Sequence, residues 1–304
     1  MQHRGEQKQR LYLVDASIYI FRYYFSMPPR WQSKNGYDTT AVYGYSKWLH
    51  TFLQGCAPLN CVVCFDESLT HCFRNKIYPP YKSSRALPDE ALGFQLLACK
   101  QISQLMGLPV YASETHEADD LIGTLAKHWR NNNTAITIVS RDKDLLQLLR
   151  SEQDQLWDYP AKAQAKAELE KKWGIRAEQI ADFLALTGDK VDDIPGVPGL
   201  GAKTAAALLK AFGSWAEIKN NTAAIADLSF RGANKWGDIL THYSEQVDRA
   251  LRLTTIDCHA PLVPQPRFVC SPYFDDELAN FCGYLGFGTA HFKPNKATQE
   301  PTLL

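Results

Sequence analysis

Three short apolar runs in this chain each lead into an aspartate: Leu11–Val14 before Asp15, Cys61–Phe65 before Asp66, and Ala135–Ser140 before Asp142. Near-continuous apolar or β-branched runs of this kind predict strands buried on both faces, as in a parallel sheet. Helix-like periodicity fills the intervals, notably over Gln95–Met106 and Ala118–Trp129, with Gly107 and Pro109 as punctuation. The alternation predicts an α/β domain, a mostly parallel sheet with helices on both faces. The carboxyl ends of its strands would form a crevice. Three acids gathered there would raise one another's pKa, and a divalent cation relieves that repulsion.

More acids accompany them. Glu117-Ala-Asp119-Asp120 opens a helix, where carboxylates meet the positive end of the dipole. Asp144 follows Asp142 by two residues, and Asp189 and Asp192 stand close together further on. Taken singly, each has an ordinary explanation: an Asp after a strand is often a turn former, and Asp142 or Asp144 would serve as cap for Leu145–Leu149. The combination argues for hard oxygen ligands selecting magnesium or manganese rather than zinc.

Eight cysteines stand at positions 56, 61, 64, 72, 99, 258, 270 and 282, and Cys61 and Cys64 have CxxC spacing. On a strand, residues three apart point to opposite faces, so the pair cannot share a metal, and no second pair completes a site. Formal net charge is zero. That argues against nucleic acid until the acid cluster is set aside as cation-neutralised, leaving basic residues free for phosphates. No run of residues is apolar and long enough for a membrane span, and the start lacks the apolar segment of a secretory signal, so a cytoplasmic chain with reduced thiols is expected.

Beyond the first domain, the charged segment 161–172 reads as a solvated helix. Ala177–Leu186, Ala202–Phe212 and Gly237–Arg252 read as further helices. The expected organisation is an α/β core over 1–175, a helical region over 176–287 and a loose tail over 288–304.

These motifs together resemble the 5′-nuclease (flap endonuclease) family, most of all the N-terminal 5′-nuclease part of bacterial DNA polymerase I. The likeness runs from about Leu11 to Gly286. It is carried by Leu-Val-Asp-Ala-Ser with Arg22, Phe65-Asp66, Tyr81-Lys82 with Arg85, Glu117–Asp120, Asp142-Lys143-Asp144, and Gly188-Asp189 through Asp192-Asp193-Ile-Pro-Gly-Val-Pro-Gly-Leu-Gly-Ala-Lys-Thr204. A polymerase part is not expected here. The resemblance implies a PIN-like α/β core, a helix-two-turn-helix element and two-metal hydrolysis of DNA phosphodiesters to 5′-phosphate and 3′-hydroxyl ends. It implies that Asp15, Asp66, Glu117, Asp119 and Asp142 serve an inner metal, and Asp144, Asp189 and Asp192 an outer one. Asp120 would support the metals from behind. The family usually has Asn where Asp193 stands; the spacing from Asp189 favours Asp192 as ligand.

The resemblance also places Lys82 and Arg85 in an arch passed by the single-stranded 5′ end, with a cation stabilising charge at the reacting phosphate. Arg22 and Tyr81 would contact DNA, Tyr81 by stacking on an unpaired base. Gly199, Gly201, Lys203 and Thr204 would grip duplex phosphates at a helix start, where potassium can also bind. The implied partner of a monomer is DNA with a 5′ flap, overhang or free 5′ end. Two other readings stay open at this point, a ribonuclease with a related acidic site and a catalytically silent binder of branched DNA.

Overall fold

The computed structural model describes residues 10–68, 71–130, 134–262, 267–290 and 292. Strands β1 (Arg10–Asp15), β2 (Asn60–Asp66), β3 (Val110–Ser113), β4 (Ala135–Val139), β5 (Gln155–Leu156) and β6 (Gln164–Ala165) form one sheet in the order β3-β2-β1-β4-β5-β6. All pairings are parallel except that of the edge strand β6. Successive strands lie on either side of β1, so the order reverses between β1 and β4, the place where such sheets open a crevice at their carboxyl ends. Asp15 ends β1 and Asp142 follows β4, so they flank that opening.

Side-chain alternation along the strands builds two cores. Leu11, Leu13, Val62, Cys64, Ile136 and Ile138 face one side; Val14, Cys61, Val63, Phe65 and Val139 face the other. Cys61 and Cys64 therefore lie in different cores, as their spacing on a strand requires.

Helices α1 (Ala16–Ser26), α2 (Thr40–Cys56) and, after the short α3 (Phe73–Ile77), α4 (Glu90–Leu105) follow in sequence. Of these, α1, α2 and α4 cover the second core. Helix α5 (Ala118–Trp129) covers the first, followed by α6 (Lys166–Trp173), α7 (Ile180–Thr187) and a two-stranded hairpin of β7 (Gly188–Asp189) and β8 (Ile194–Pro195). The helical region continues with α8 (Ala202–Phe212), α9 (Trp215–Asn220), α10 (Trp236–His242) and α11 (Ser244–Thr254). Its apolar side chains share one continuous core with α5 and the sheet.

Three expectations need correction. The helix expected over Gly237–Arg252 is two, α10 and α11, divided at Tyr243. In the segment 161–172, residues 164–165 are strand β6, paired with β5, and the helix begins only at Lys166. The chain beyond the helical region returns to the sheet: Cys61 N–H donates to Phe268 O, and Cys270 N–H to Leu59 O. Helix α12 (Asp275–Tyr284) then packs on α4. Leu278, Cys282, Leu285 and Phe287 join the second core, so 268–287 packs with the first domain rather than with the helices before it. Of the tail expected from 288, Phe292 is buried in that core against His50, with ring centroids 5.6 Å apart. Residues 291 and 293–304 lie outside the described residues.

Candidate active site

Burial of β1 and β4 between two cores fixes their ends, and the chain turns there into acids. Asp15 caps α1, is 6% exposed, and accepts a hydrogen bond from Ser140 Oγ at 3.0 Å. Asp66 ends β2 and is held by Ser68, whose amide and hydroxyl donate to Oδ1 at 3.0 and 2.7 Å. Asp142 takes the turn after β4: its amide donates to Ser140 Oγ, and its Oδ1 accepts from Asp144 N. Asp189, on β7, accepts from Val191 N at 2.8 Å.

These residues converge. Asp15, Asp66, Glu117, Asp119, Asp142, Asp144, Asp189 and Asp192 line one hollow of about 330 Å³ at the carboxyl edge of the sheet, with Lys82, Arg85 and Lys143. Acids drawn from five separate stretches of chain meet there.

The crowding is visible in their titration. Burial, then the nearby Asp142, pushes Asp15 up to about 7. Burial, then Asp142 and Asp189, pushes Asp144 up to about 8. Asp119 is raised by desolvation and by the charges of Asp142 and Asp15. Glu117 goes the other way: burial alone would raise it, but Lys82 and Arg74 hold it below its ordinary value.

Cations account for the difference. Lys82 Nζ contacts Glu117 Oε1 and lies 3.8 Å from Asp192 Oδ2; Arg85 Nη2 meets Asp192 Oδ1 at 2.5 Å. Among the described residues no three acidic, His or Cys side chains close as a finished metal cage. The basic side chains engage Glu117 and Asp192 instead. A divalent cation nevertheless fits this donor set. It consists of hard oxygens, several are pushed toward the protonated form by burial and then by neighbouring charge, and Asp144 Oδ1 is buried with no hydrogen-bond partner.

Lys82 and Asp193 both adopt positive φ, 54° and 56°, which costs a non-glycine residue about 1–3 kcal/mol. The two strained turns grip each other. Lys82 N–H donates to Asp192 O, and Ser84 N–H donates to Asp193 Oδ2 at 2.8 Å. Asp193 is thereby turned to the Ser84 amide while Asp192 faces the hollow. The 78–85 stretch, expected in an arch, lies folded on the loop that carries Asp192.

Several expected roles change. Tyr81 is 3% exposed, and its hydroxyl donates to Glu117 Oε2 at 2.9 Å and lies 3.1 Å from Asp192 Oδ2. A ring so buried cannot stack on a base; it positions two carboxylates. Asp120, grouped above with the metal acids, is fully buried and spends both oxygens elsewhere. Arg74 binds it through two nitrogens at 2.7 and 2.8 Å, and the amides of Glu117 and Asp257 donate to it as well. It holds Glu117 from behind and has no oxygen aimed into the hollow. Arg22 is paired with Asp158 at 2.5 Å, away from the acids. The helix start expected to meet phosphate is present: Gly199 takes φ 77°, Gly201 caps α8, and Lys203 is exposed.

Sequence reasoning missed Arg74, whose guanidinium is 2% exposed and also donates to Leu253 O and Thr255 O. Nothing in a lone arginine on short helix α3 marks it. It also missed Ile18 and Phe21, which line the hollow beside the acids. Their signal was available: both follow Asp15 on one helix at i, i+3 spacing, hence on a common face.

Arg74→Met is expected to destabilise the fold by about 3–5 kcal/mol, because it leaves the buried Asp120 charge unpaired. Urea titration measures this, and adding Asp120→Asn should recover part of the loss. An unchanged midpoint would mean that the pair contributes nothing.

Similarity to known proteins agrees with this geometry. Residues 10–174 match the family model described as 5′-3′ exonuclease, N-terminal resolvase-like domain, and residues 175–272 that of 5′-3′ exonuclease, C-terminal SAM fold. A 5′-3′ exonuclease of Aquifex aeolicus is 37% identical over 211 residues, covering 69% of this chain and 72% of the relative. One from Buchnera aphidicola is 32% identical over 257 residues, covering 84% and 89%. DNA polymerase I of Rhizobium leguminosarum is 36% identical over 217 residues, but the match spans only 21% of that protein. Among solved structures, T5 5′-exonuclease with divalent metal ions (zinc) bound has a TM-score of 0.64 at 19% identity, covering 91% of this chain and 94% of that one. The catalytic core of Rad2 in complex with DNA substrate has a TM-score of 0.60 at 14% identity, covering 95% and 91%. At such identities the likeness is one of fold.

Proposed function

The chain belongs to the 5′-3′ exonuclease family, and from that premise we propose that it is a divalent-metal-dependent, structure-specific nuclease cutting DNA at 5′ flaps, overhangs or free 5′ ends. The observation that carries this reading is the hollow with eight carboxylates, two lysines and an arginine, open at the switch point of the sheet. Asp15, Asp66, Glu117, Asp119 and Asp142 would hold an inner cation, and Asp144, Asp189 and Asp192 an outer one. Magnesium suits these oxygens, with manganese as substitute. Bound there, the cations would supply Lewis acidity and lower the pKa of a water for attack on the phosphate. The metal-bound T5 5′-exonuclease and DNA-bound Rad2 core of the same fold support metal and DNA as partners.

The chain's own groups have separate tasks. Tyr81 and Arg74 orient Glu117, and Ser140 orients Asp15. Lys82 and Arg85 neutralise acids until substrate arrives, and are then placed to meet the phosphate. Ile18 and Phe21 give the mouth an apolar wall against which an unpaired nucleotide can rest. The amides at the start of α8, with Lys203 and Thr204, would hold a duplex phosphate, and carbonyls of the same turn could take potassium. The protein would act as a monomer.

The test is cleavage of labelled DNA bearing a 5′ flap, alongside blunt duplex and a flap of RNA. Expected is cutting of the DNA flap in magnesium or manganese, none in chelator, and products with 5′-phosphate and 3′-hydroxyl ends. Preference for the RNA flap would point to a ribonuclease. Tight binding with no cutting in any metal would leave a silent DNA binder.

Lys203→Ala should weaken duplex binding equally for all sequences and flatten the slope of log affinity against log salt by about 0.9, the share of one phosphate contact. Filter binding at several salt concentrations reads it. Weakening confined to one sequence would contradict a phosphate-only grip.

A further inference from the structure

A hollow larger than the acid site lies apart from it. It is an open groove of about 1100 Å³ at the far end of α5, between that helix, α11, the turn after Leu148 and the 255–259 loop. This exceeds the roughly 300–1,000 Å³ of ordinary small-ligand pockets. Its floor is aliphatic: Ile77, Ala126, Leu148, Leu251 and Ile256. Its rim is cationic, with exposed Lys127, Arg150 and Arg252 contributed by three different elements. Among the described residues none of these three forms an ion pair with a carboxylate; Lys127 contacts only the ring of His259. Arg130 at the edge is already paired with Asp154. The one acid in the lining, Asp257, lies 3.5 Å from each of His116 and His259.

The walls are preformed. Gly123 lets the 255–259 loop lie directly on α5, where a Cβ would come within 2.8 Å of Ile256 and 3.0 Å of Cys258. Ile256 N–H donates to Gln147 Oε1, and Asp257 N–H to Asp120. The groove thus needs no rearrangement to accept an occupant, which limits the ordering cost of binding.

We propose that this groove is a docking site for a partner protein's acidic segment carrying paired aliphatic side chains. The charge of the rim calls for carboxylates, and the aliphatic floor calls for leucine-like anchors. A nucleic-acid strand matches the rim but not the floor. Strand-binding surfaces offer exposed Phe, Tyr or Trp platforms, whereas Phe73, the one such residue in this lining, is itself partly buried against His116.

The experiment uses the whole protein and a fluorescein-labelled decapeptide, four glutamates on either side of a central Leu-Leu, followed by anisotropy at low and moderate salt. Expected is saturable binding, weakened about tenfold or more when the leucines become serines and likewise in Arg150→Glu/Arg252→Glu. Flap cleavage by that double variant should stay within about twofold of the parent, since neither arginine lines the acid hollow. Lys127→Glu provides a second, single change should the double variant melt early, with weakened peptide binding again expected. No saturable binding by the parent overturns the proposal. So does binding indifferent to these substitutions, or a labelled oligothymidylate that loses affinity in the double variant while the peptide does not; that last result would make the groove a nucleic-acid surface.

Discussion

Asp15→Asn is expected to abolish cleavage and, in the absence of metal, to make the protein more stable. Both effects come from one carboxylate. It is buried beside Asp142, and the fold holds its pKa at about 7 against an ordinary value of 3.8. Between those two values the unfolded chain is ionised while the folded one still carries the proton. Stability of the metal-free protein therefore falls as pH rises from about 4 to about 7, and Asp144 extends the fall to about 8. Asparagine keeps the shape, can still accept from Ser140 Oγ, and removes the charge. Thermal melts in chelator should show the variant melting well above the parent at pH 8, with the gap narrowing steadily towards pH 4. In magnesium the order should reverse, because the parent gains a bound cation that the variant holds poorly. Losing one ligand of a catalytic metal forfeits several kcal/mol of transition-state stabilisation, on the order of a thousandfold in rate. Cleavage within tenfold of the parent would take Asp15 out of the chemistry.

Lys82→Ala should be nearly as damaging to turnover and much less so to binding. The ammonium touches Glu117 and faces Asp192, so it already stands among the acids that would surround the scissile phosphate. Burial alone would lower its pKa, but Glu117 and Asp192 hold it above the ordinary lysine value, and it stays charged throughout the working range. Only contacts that strengthen on the way to the transition state raise turnover. A fixed positive charge beside a phosphate whose charge is shifting meets that condition, and its loss costs on the order of a hundredfold or more. Duplex affinity would rest mainly on the α8 start, so the dissociation constant measured in calcium should change by no more than about threefold. Arg85→Ala should follow the same pattern more weakly, since its side chain is 47% exposed and solvent screens it. An unchanged single-turnover rate with weakened binding would make Lys82 a tether.

Much of this site could be read from the sequence because strands that end in aspartate announce both the sheet and its edge. β1, β2 and β4 are buried on both faces and carry near-continuous apolar or β-branched runs. β3, β5 and β6 do not: they have four, two and two residues, and two residues show no period. Helix α2 passed unnoticed for the opposite reason. Ten of its seventeen residues are buried, so no clean polar face sets off an apolar stripe. The acids could be named because each sits in a local motif. The reversal of Tyr81 could not be foreseen, since its hydroxyl meets residues 36 and 111 positions away, and a tyrosine beside lysine in a loop reads as exposed. Arg74 was hidden likewise, with partners 46 and 179 residues distant.

The hairpin of β7 and β8 has a consequence for measurement along DNA. Gly188 and Gly196 lie back to back, so tightly that a Cβ on Gly196 would stand 2.2 Å from the Thr187 carbonyl and one on Gly188 2.4 Å from Gly196 N. On one side of this contact hang Asp189 and Asp192; on the other, a few residues on, begins α8. No side chain lies between the two halves to compress or rotate. With a duplex held at the α8 start as proposed, the interval between the acids and that helix would act as a ruler of bare backbone, and the polypeptide itself would set where the cut falls. Lengthening the Val197–Leu200 turn by a residue should shift the cleavage position along the strand rather than slow it.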